Sequence, residues 1–138
     1  MWIKNYSAAD VAAGSHEDPG DNSVLIQIAD DTSLFPLPLF PFKKVYQFVF
    51  GDLEDKDAAP EEHKFSDLQA EQIIAILNDA ITNHSNVIVH CVVGVCRSGA
   101  VVEVGQLMGF EESHRWRAPN LRVKHKLMKV LNFYSYDE

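Results

Sequence analysis

His90-Cys91-Val92-Val93-Gly94-Val95-Cys96-Arg97-Ser98 is the stretch on which the reading of this sequence turns. The apolar run Asn86-Val87-Ile88-Val89-His90 in front of it reads as a buried strand, and Ser98 to Met108 behind it reads as a helix. A loop between the two places its backbone N–H groups around one point near a helix N-terminus. Such a nest, backed by the helix dipole, binds a tetrahedral oxyanion. Arg97 adds a planar fork of donors that suits two oxygens of one phosphate. Cys91 starts the loop and would face the phosphorus from below. Positive surroundings of this kind lower a thiol from about 8.5 into the range of roughly 3.5–7.5, where it is a nucleophile at neutral pH.

The pattern His-Cys, five residues, Arg-Ser resembles the active-site signature of the cysteine-dependent protein tyrosine phosphatases. Its place in the last third of a short chain resembles the compact dual-specificity branch, especially its small bacterial and phage members. The order strand, acidic loop, helix, strand–loop–helix and final helix agrees over most of the chain. The resemblance implies a hydrolase that passes through a phosphocysteine at Cys91. Its phosphate would sit on the loop Val92, Val93, Gly94, Val95, Cys96 and Arg97. Ser98 can hydrogen-bond the Cys91 sulfur and stabilise it as a leaving group. His90 is expected to be buried and to orient the loop through backbone hydrogen bonds. Gly94 permits a backbone conformation that a side chain opposes, and Gly99 and Ala100 allow close packing at the helix start.

Two positions depart from the common dual-specificity pattern. Val92 and Val93 stand where a charged or polar residue and then alanine are frequent, which bears on substrate preference. Cys96 gives two cysteines flanking four residues, as in the low-molecular-weight tyrosine phosphatases, where the loop lies near the N-terminus instead. That spacing leaves two readings of Cys96: a resolving thiol that traps oxidised Cys91 as a disulfide, or a small residue that fits.

Other readings of the motif compete. A zinc site built on Cys91, Cys96 and His84 or His90 lacks the second ligand pair that structural zinc takes. Two buried structural cysteines beside a chance arginine do not explain His, Gly, Arg and Ser at matching positions. A phosphate-binding module that docks phosphoproteins without turnover keeps the loop and drops the chemistry, and it stands as the alternative function.

Composition agrees with a small enzyme. The 138 residues suffice for one domain, 1–138, with a single core, and 46% are hydrophobic. Two cysteines five apart cannot staple a fold, and a reactive thiol suits a reducing compartment. With no continuous apolar signal core and no run of about twenty apolar residues, the expectation is a cytoplasmic protein away from membranes. The net charge of −8 argues against nucleic-acid binding. Half of the Lys and Arg residues nevertheless lie between Arg115 and Lys129, while Asp52 to Asp79 is acidic. Arg115 and Arg117 would help a phosphate only if their segment folds beside the loop. Arg122, Lys124, Lys126 and Lys129 read as a solvated helix face. The expected protein is a monomer without cofactor or metal, with a phosphorylated protein or peptide as substrate.

Along the chain, Trp2 to Tyr6 reads as a short strand and Ser7 to Ala13 as a helix capped by Ser7 and stopped by Gly14. Asp18 to Asn22 is a turn, and Val24 to Ile28 a second strand. Leu34 to Pro41, with three prolines, is an extended apolar loop. Val45 to Phe50 is a third strand, followed by a charged loop from Asp52 to Lys64. Ser66-Asp67-Leu68-Gln69 opens a helix with a capping box, with Ile73, Leu77, Ala80 and Ile81 as its buried stripe. After a loop from Gly109 to Pro119, Val123, Leu127, Val130, Leu131 and Tyr134 mark one face of the last helix. Alternating strands and helices imply an α/β fold with a mostly parallel central sheet flanked by helices, which the resemblance specifies as tyrosine phosphatase-like, dual-specificity type. Ligands of such sheets bind outside the carboxyl ends of the strands.

The chemistry also needs an acid, because the departing alkoxide or phenoxide must be protonated. Asp52 is the leading candidate, after a strand at the head of a charged loop, and the family layout agrees. Asp55, Asp57 and Glu54 are runners-up, and Asp30 and Asp31 after the second strand come next. A solvated acidic loop accounts for most of these carboxylates. The apolar loop positions Val92, Val93 and Val95 favour a phosphoprotein over a polyphosphorylated lipid, since lipid-directed relatives often carry basic residues there.

Overall fold

The structure, a computed structural model, describes residues 1–136, with side chains described through 132. Four strands, β1 (Ile3–Ser7), β2 (Ser23–Ala29), β3 (Lys44–Val49) and β4 (Asn86–Cys91), form one sheet in the order β1-β4-β2-β3, and every pairing is parallel. Four helices accompany it: α1 (Ala8–Ala13), α2 (Asp67–Thr82), α3 (Arg97–Met108) and α4 (Leu121–Tyr136). This is the α/β architecture with a parallel sheet flanked by helices that the alternating pattern implies.

The central strands are buried on both faces, so they read as continuous apolar runs. Val24, Ile26, Ile28, Val87, Val89 and Cys91 face the core shared with α2, α3 and α4. Leu25 and Ile88 point the other way, to a smaller cluster with Tyr6 and Val11 of β1 and α1. The period of two in β4 therefore sends Cys91 to the three-helix side. In α2, Ile73, Leu77 and Ala80 are buried as expected and Ile81 is half-buried. Val123 and Leu127 of α4 pack into the same core, with Val130 and Leu131 at its margin. Tyr134 lies outside the described side chains.

Local signals set the element ends. Ser7 caps α1 by accepting from the Asp10 amide, and Gly14 closes it. Ser66 and Gln69 form both bonds of the capping box at the start of α2. The proline-rich segment Leu34–Pro41 stays outside the sheet, apart from one 3-10 turn at Thr32–Leu34, and Pro36 takes a hydrogen bond from the buried Gln27. Among the described residues no helix is long and apolar enough to cross a membrane.

The basic stretch of α4 departs from expectation. Arg122 is only 11% exposed, donates to the Phe65 carbonyl and pairs with Asp55 and Glu61. Lys124 pairs with Glu103 and Lys126 with Asp67. Of the four, Lys129 alone stands on an exposed face. The acidic loop and the start of α2 both lie against α4, so charges 59 to 67 residues apart in sequence meet.

Candidate active site

β4 ends at Cys91 and α3 begins at Arg97, so residues 91–97 form a loop under a helix N-terminus. Gly94 sits at φ +82°, and a Cβ there would run into the backbone of Tyr6 and Ser7. The loop can thus close against β1 only with glycine at this place. Asn5 of β1, 1% exposed, donates to the Gly94 carbonyl at 2.7 Å and holds the loop from below. At Gly99 a Cβ would crowd the Arg117 side chain, which agrees with the expected close packing of the helix start.

The Cys91 sulfur, 2% exposed, lies 3.2 Å from the Ser98 hydroxyl and accepts from the Gly94 amide at 3.3 Å. Burial pushes this thiol up. The Ser98 hydroxyl and the amides of Ser98, Gly94 and Val95 outweigh it, and the net direction is below the ordinary thiol value. Dipoles of the loop, more than the arginine charge, favour the thiolate.

Arg97 is 4% exposed. Its Nη1 donates to Asp30 Oδ1 at 2.6 Å and to the Phe50 carbonyl at 2.7 Å. One arm of the fork is therefore fixed by the ends of β2 and β3, while the buried Nε–H has no hydrogen-bond partner. A buried guanidinium donor left unsatisfied is costly unless a ligand takes it. Asp30 is engaged in holding Arg97, and Asp31 caps the 3-10 turn through the Ser33 amide.

Asp52 lies across the same cleft as Cys91, Val92, Val93 and Arg97. The strand before it ends at Val49, one residue short of the expected Phe50. Asp52 Oδ1 accepts from Asn120 Nδ2 at 2.8 Å, and the same amide group reaches the Leu53 carbonyl. The Glu54 carboxylate caps α4 through the Leu121 and Arg122 amides, both at 2.9 Å. Asp55 pairs with Arg122, and Asp57 accepts from the Glu54 amide. Of these loop carboxylates, Asp52 is the one that lines the cleft with Cys91, whereas Glu54 and Asp55 hold the loop to α4 and Asp57 braces the loop internally.

Cys96 is half-buried in the same cleft and both cysteines are free thiols. Burial pushes the Cys96 thiol up, and the Asp52 and Cys91 charges add to the effect. His90 is fully buried, as expected, yet neither ring nitrogen makes a hydrogen bond of good geometry. Burial lowers its pKa to about 4, with the Arg97 charge acting in the same sense and the Cys91 backbone opposing. Asn5 is the buried side chain that holds the loop, through the Gly94 carbonyl.

The segment 109–119 does fold beside the loop: the Ala118 amide donates to the Val95 carbonyl, and Asn5 also holds the Trp116 carbonyl. Its arginines are nonetheless turned elsewhere, Arg115 onto the Tyr6 ring and the Asn5 carbonyl, Arg117 onto Glu103 and Gln106. Asn5, Asp30 in its holding role, Asn120 and Trp116 were not singled out by the sequence. Asn120 alone left a signal, as an N-cap residue after Pro119 and before an amphipathic helix.

No family model matches the chain, and no curated protein matches it. Solved structures do. Human DUSP28 superposes with a TM-score of 0.68 at 15% identity, over 99% of this chain and 95% of that one. A mouse putative dual specificity phosphatase complexed with zinc tungstate gives 0.63 at 17% identity, over 98% and 84%. The human tyrosine phosphatase-like serine/threonine/tyrosine-interacting protein gives 0.63 at 12%, over 96% and 92%. The chain has the fold of the dual-specificity phosphatases.

Proposed function

We propose that this protein is a phosphoric monoester hydrolase that removes phosphate from phosphotyrosine, and from phosphoserine or phosphothreonine as secondary substrates, through a phosphocysteine. What supports this most is the placement of the Cys91 sulfur, lowered in pKa by loop donors and facing a cleft that also contains Arg97 and Asp52. The Cys91 thiolate attacks phosphorus, the bond to the ester oxygen breaks, and that oxygen takes a proton from Asp52. Water then attacks the phosphocysteine. Asp52 accepts the water proton, the P–S bond breaks, and Ser98 stabilises the departing thiolate. Arg97 and the amides of residues 92–97 hold the phosphoryl oxygens throughout, with no metal or cofactor in the scheme.

Hydrolysis of para-nitrophenyl phosphate tests this reading. The wild type should turn it over, and Cys91→Ser should abolish turnover while still binding tungstate. Arg97→Lys should fail badly, because an ammonium reproduces neither the fork nor its link to Asp30. Undiminished hydrolysis by Cys91→Ser would end the phosphocysteine scheme. A wild type that binds phosphopeptides and hydrolyses nothing would instead be the docking module.

A further inference from the structure

Trp116 is 74% exposed and Val93 72%, yet both line the cleft that contains Cys91 and Arg97. A scattered exposed apolar residue is ordinary; a tryptophan beside a buried nucleophile asks for a reason. Its exposure does not come from a loose segment. The Trp116 carbonyl accepts from Asn5 at 3.1 Å, and the Ala118 amide bonds Val95 of the loop at 3.2 Å. One buried side chain, Asn5, thus fixes the Trp116 backbone and the phosphate loop to each other.

The cleft is about 280 Å³, at the small end of ligand pockets, which run from roughly 300 to 1,000 Å³. One phosphorylated side chain is what it can take. Arg97 is its cation and Asp52 its anion. The arginines on either side of Trp116 are both committed elsewhere, so a second phosphate would meet no positive partner. The walls are apolar.

We propose that Trp116, with Val93, is the specificity-determining wall of the cleft, packing the ring of an aryl monophosphate. The site then prefers phosphotyrosine to phosphoserine and phosphothreonine. A tyrosine ring long enough to bring phosphate to Cys91 buries its faces between the two side chains. A serine ester reaches the same sulfur with the wall left in water. Removing the indole forfeits aromatic packing and buried area sufficient for about a tenfold change in affinity. This inference rests on the phosphate site proposed above.

The test is calorimetric binding to the full chain, with three probes: a peptide carrying a non-hydrolysable difluoromethylphosphonate analogue of phosphotyrosine, the same peptide with phosphoserine, and tungstate. In Trp116→Ala the aryl phosphonate Kd should rise about tenfold relative to that of tungstate, and the preference over phosphoserine should shrink by the same factor. Trp116→Phe should recover most of it. If aryl phosphonate and tungstate shift by one common factor, or neither shifts, the specificity role is refuted. Binding needs no turnover, so a catalytically idle wild type that still shows the Trp116-dependent preference would remove the hydrolase reading and leave this one standing. Where hydrolysis occurs, the loss should appear in KM for phosphotyrosine peptides more than in kcat.

Discussion

At Asp52 the carboxylate faces the cleft with one oxygen tied to Asn120. Asp52→Asn should slow phosphotyrosine peptide hydrolysis by roughly 10²–10⁴-fold, the usual contribution of a positioned acid. Phosphate esters of acidic phenols should lose much less, because their leaving oxygen needs little help. Steady-state kinetics over a series of leaving groups checks this; a loss independent of leaving group would place the acid elsewhere. His90 makes a prediction about stability. Its pKa is near 6.5 in the unfolded chain and about 4 when folded, so unfolding takes up a proton between those values. Stability from this residue is complete above about pH 6.5 and falls as pH drops toward 4, by about 3 kcal/mol in all. Urea midpoints at pH 7 and pH 4.5 should therefore diverge more in the wild type than in His90→Asn, which has no such proton. Equal divergence would mean that the ring is protonated without cost in the fold.

Among the elements, α4 has its first amides satisfied from two directions. Glu54 takes the Leu121 and Arg122 N–H groups, and Asn120 takes that of Val123. Glu54→Gln removes a charge from the positive end of a 16-residue helix and should cost about 1 kcal/mol, read from the denaturant midpoint. Because Glu54 sits two residues from Asp52, the same variant should also lower kcat on phosphotyrosine peptides, whereas Ser66→Ala, with a similar capping loss at α2, should not. Equal kcat in both variants would separate helix capping from the acid loop. This joint also shows what the sequence could and could not disclose. Ser7, Gly14, Ser66 and the loop Cys91–Ser98 act on residues a few places away, so their roles were legible in local pattern. Asn120 meets Asp52 across 68 residues, Asn5 meets Trp116 across 111, and Arg97 meets Asp30 across 67. Periodicity and caps are silent about such distances. The solvated face expected for Arg122, Lys124 and Lys126 failed for the same reason: their carboxylate partners lie in distant segments.

For the whole molecule, the net charge of −8 acts on every approaching substrate, and much of the basic minority is already paired with carboxylates. A phosphotyrosine peptide with basic flanks should thus show a higher kcat/KM than one with acidic flanks. Raising ionic strength from about 0.01 M to 0.15 M shortens the screening length from roughly 30 Å to 8 Å, and the ratio should fall severalfold. A ratio insensitive to salt would assign the preference to direct contacts.

The edge position of β1 has a consequence for how the protein is made. β1 pairs with β4 alone, Ile3 beside Val87, so during synthesis this strand has no paired neighbour until 84 more residues have been added. At about 5–20 residues per second that is a wait of roughly 4–17 seconds. Asn5 waits with it, and the loop that begins at Cys91 has no floor before β1 docks. Catalytic competence would then arrive in one late step, with β1 and the nucleophile loop assembling together. A nascent chain arrested before residue 91 should protect β1 poorly against proteolysis, and release of the chain should bring protection and thiol reactivity at the same moment.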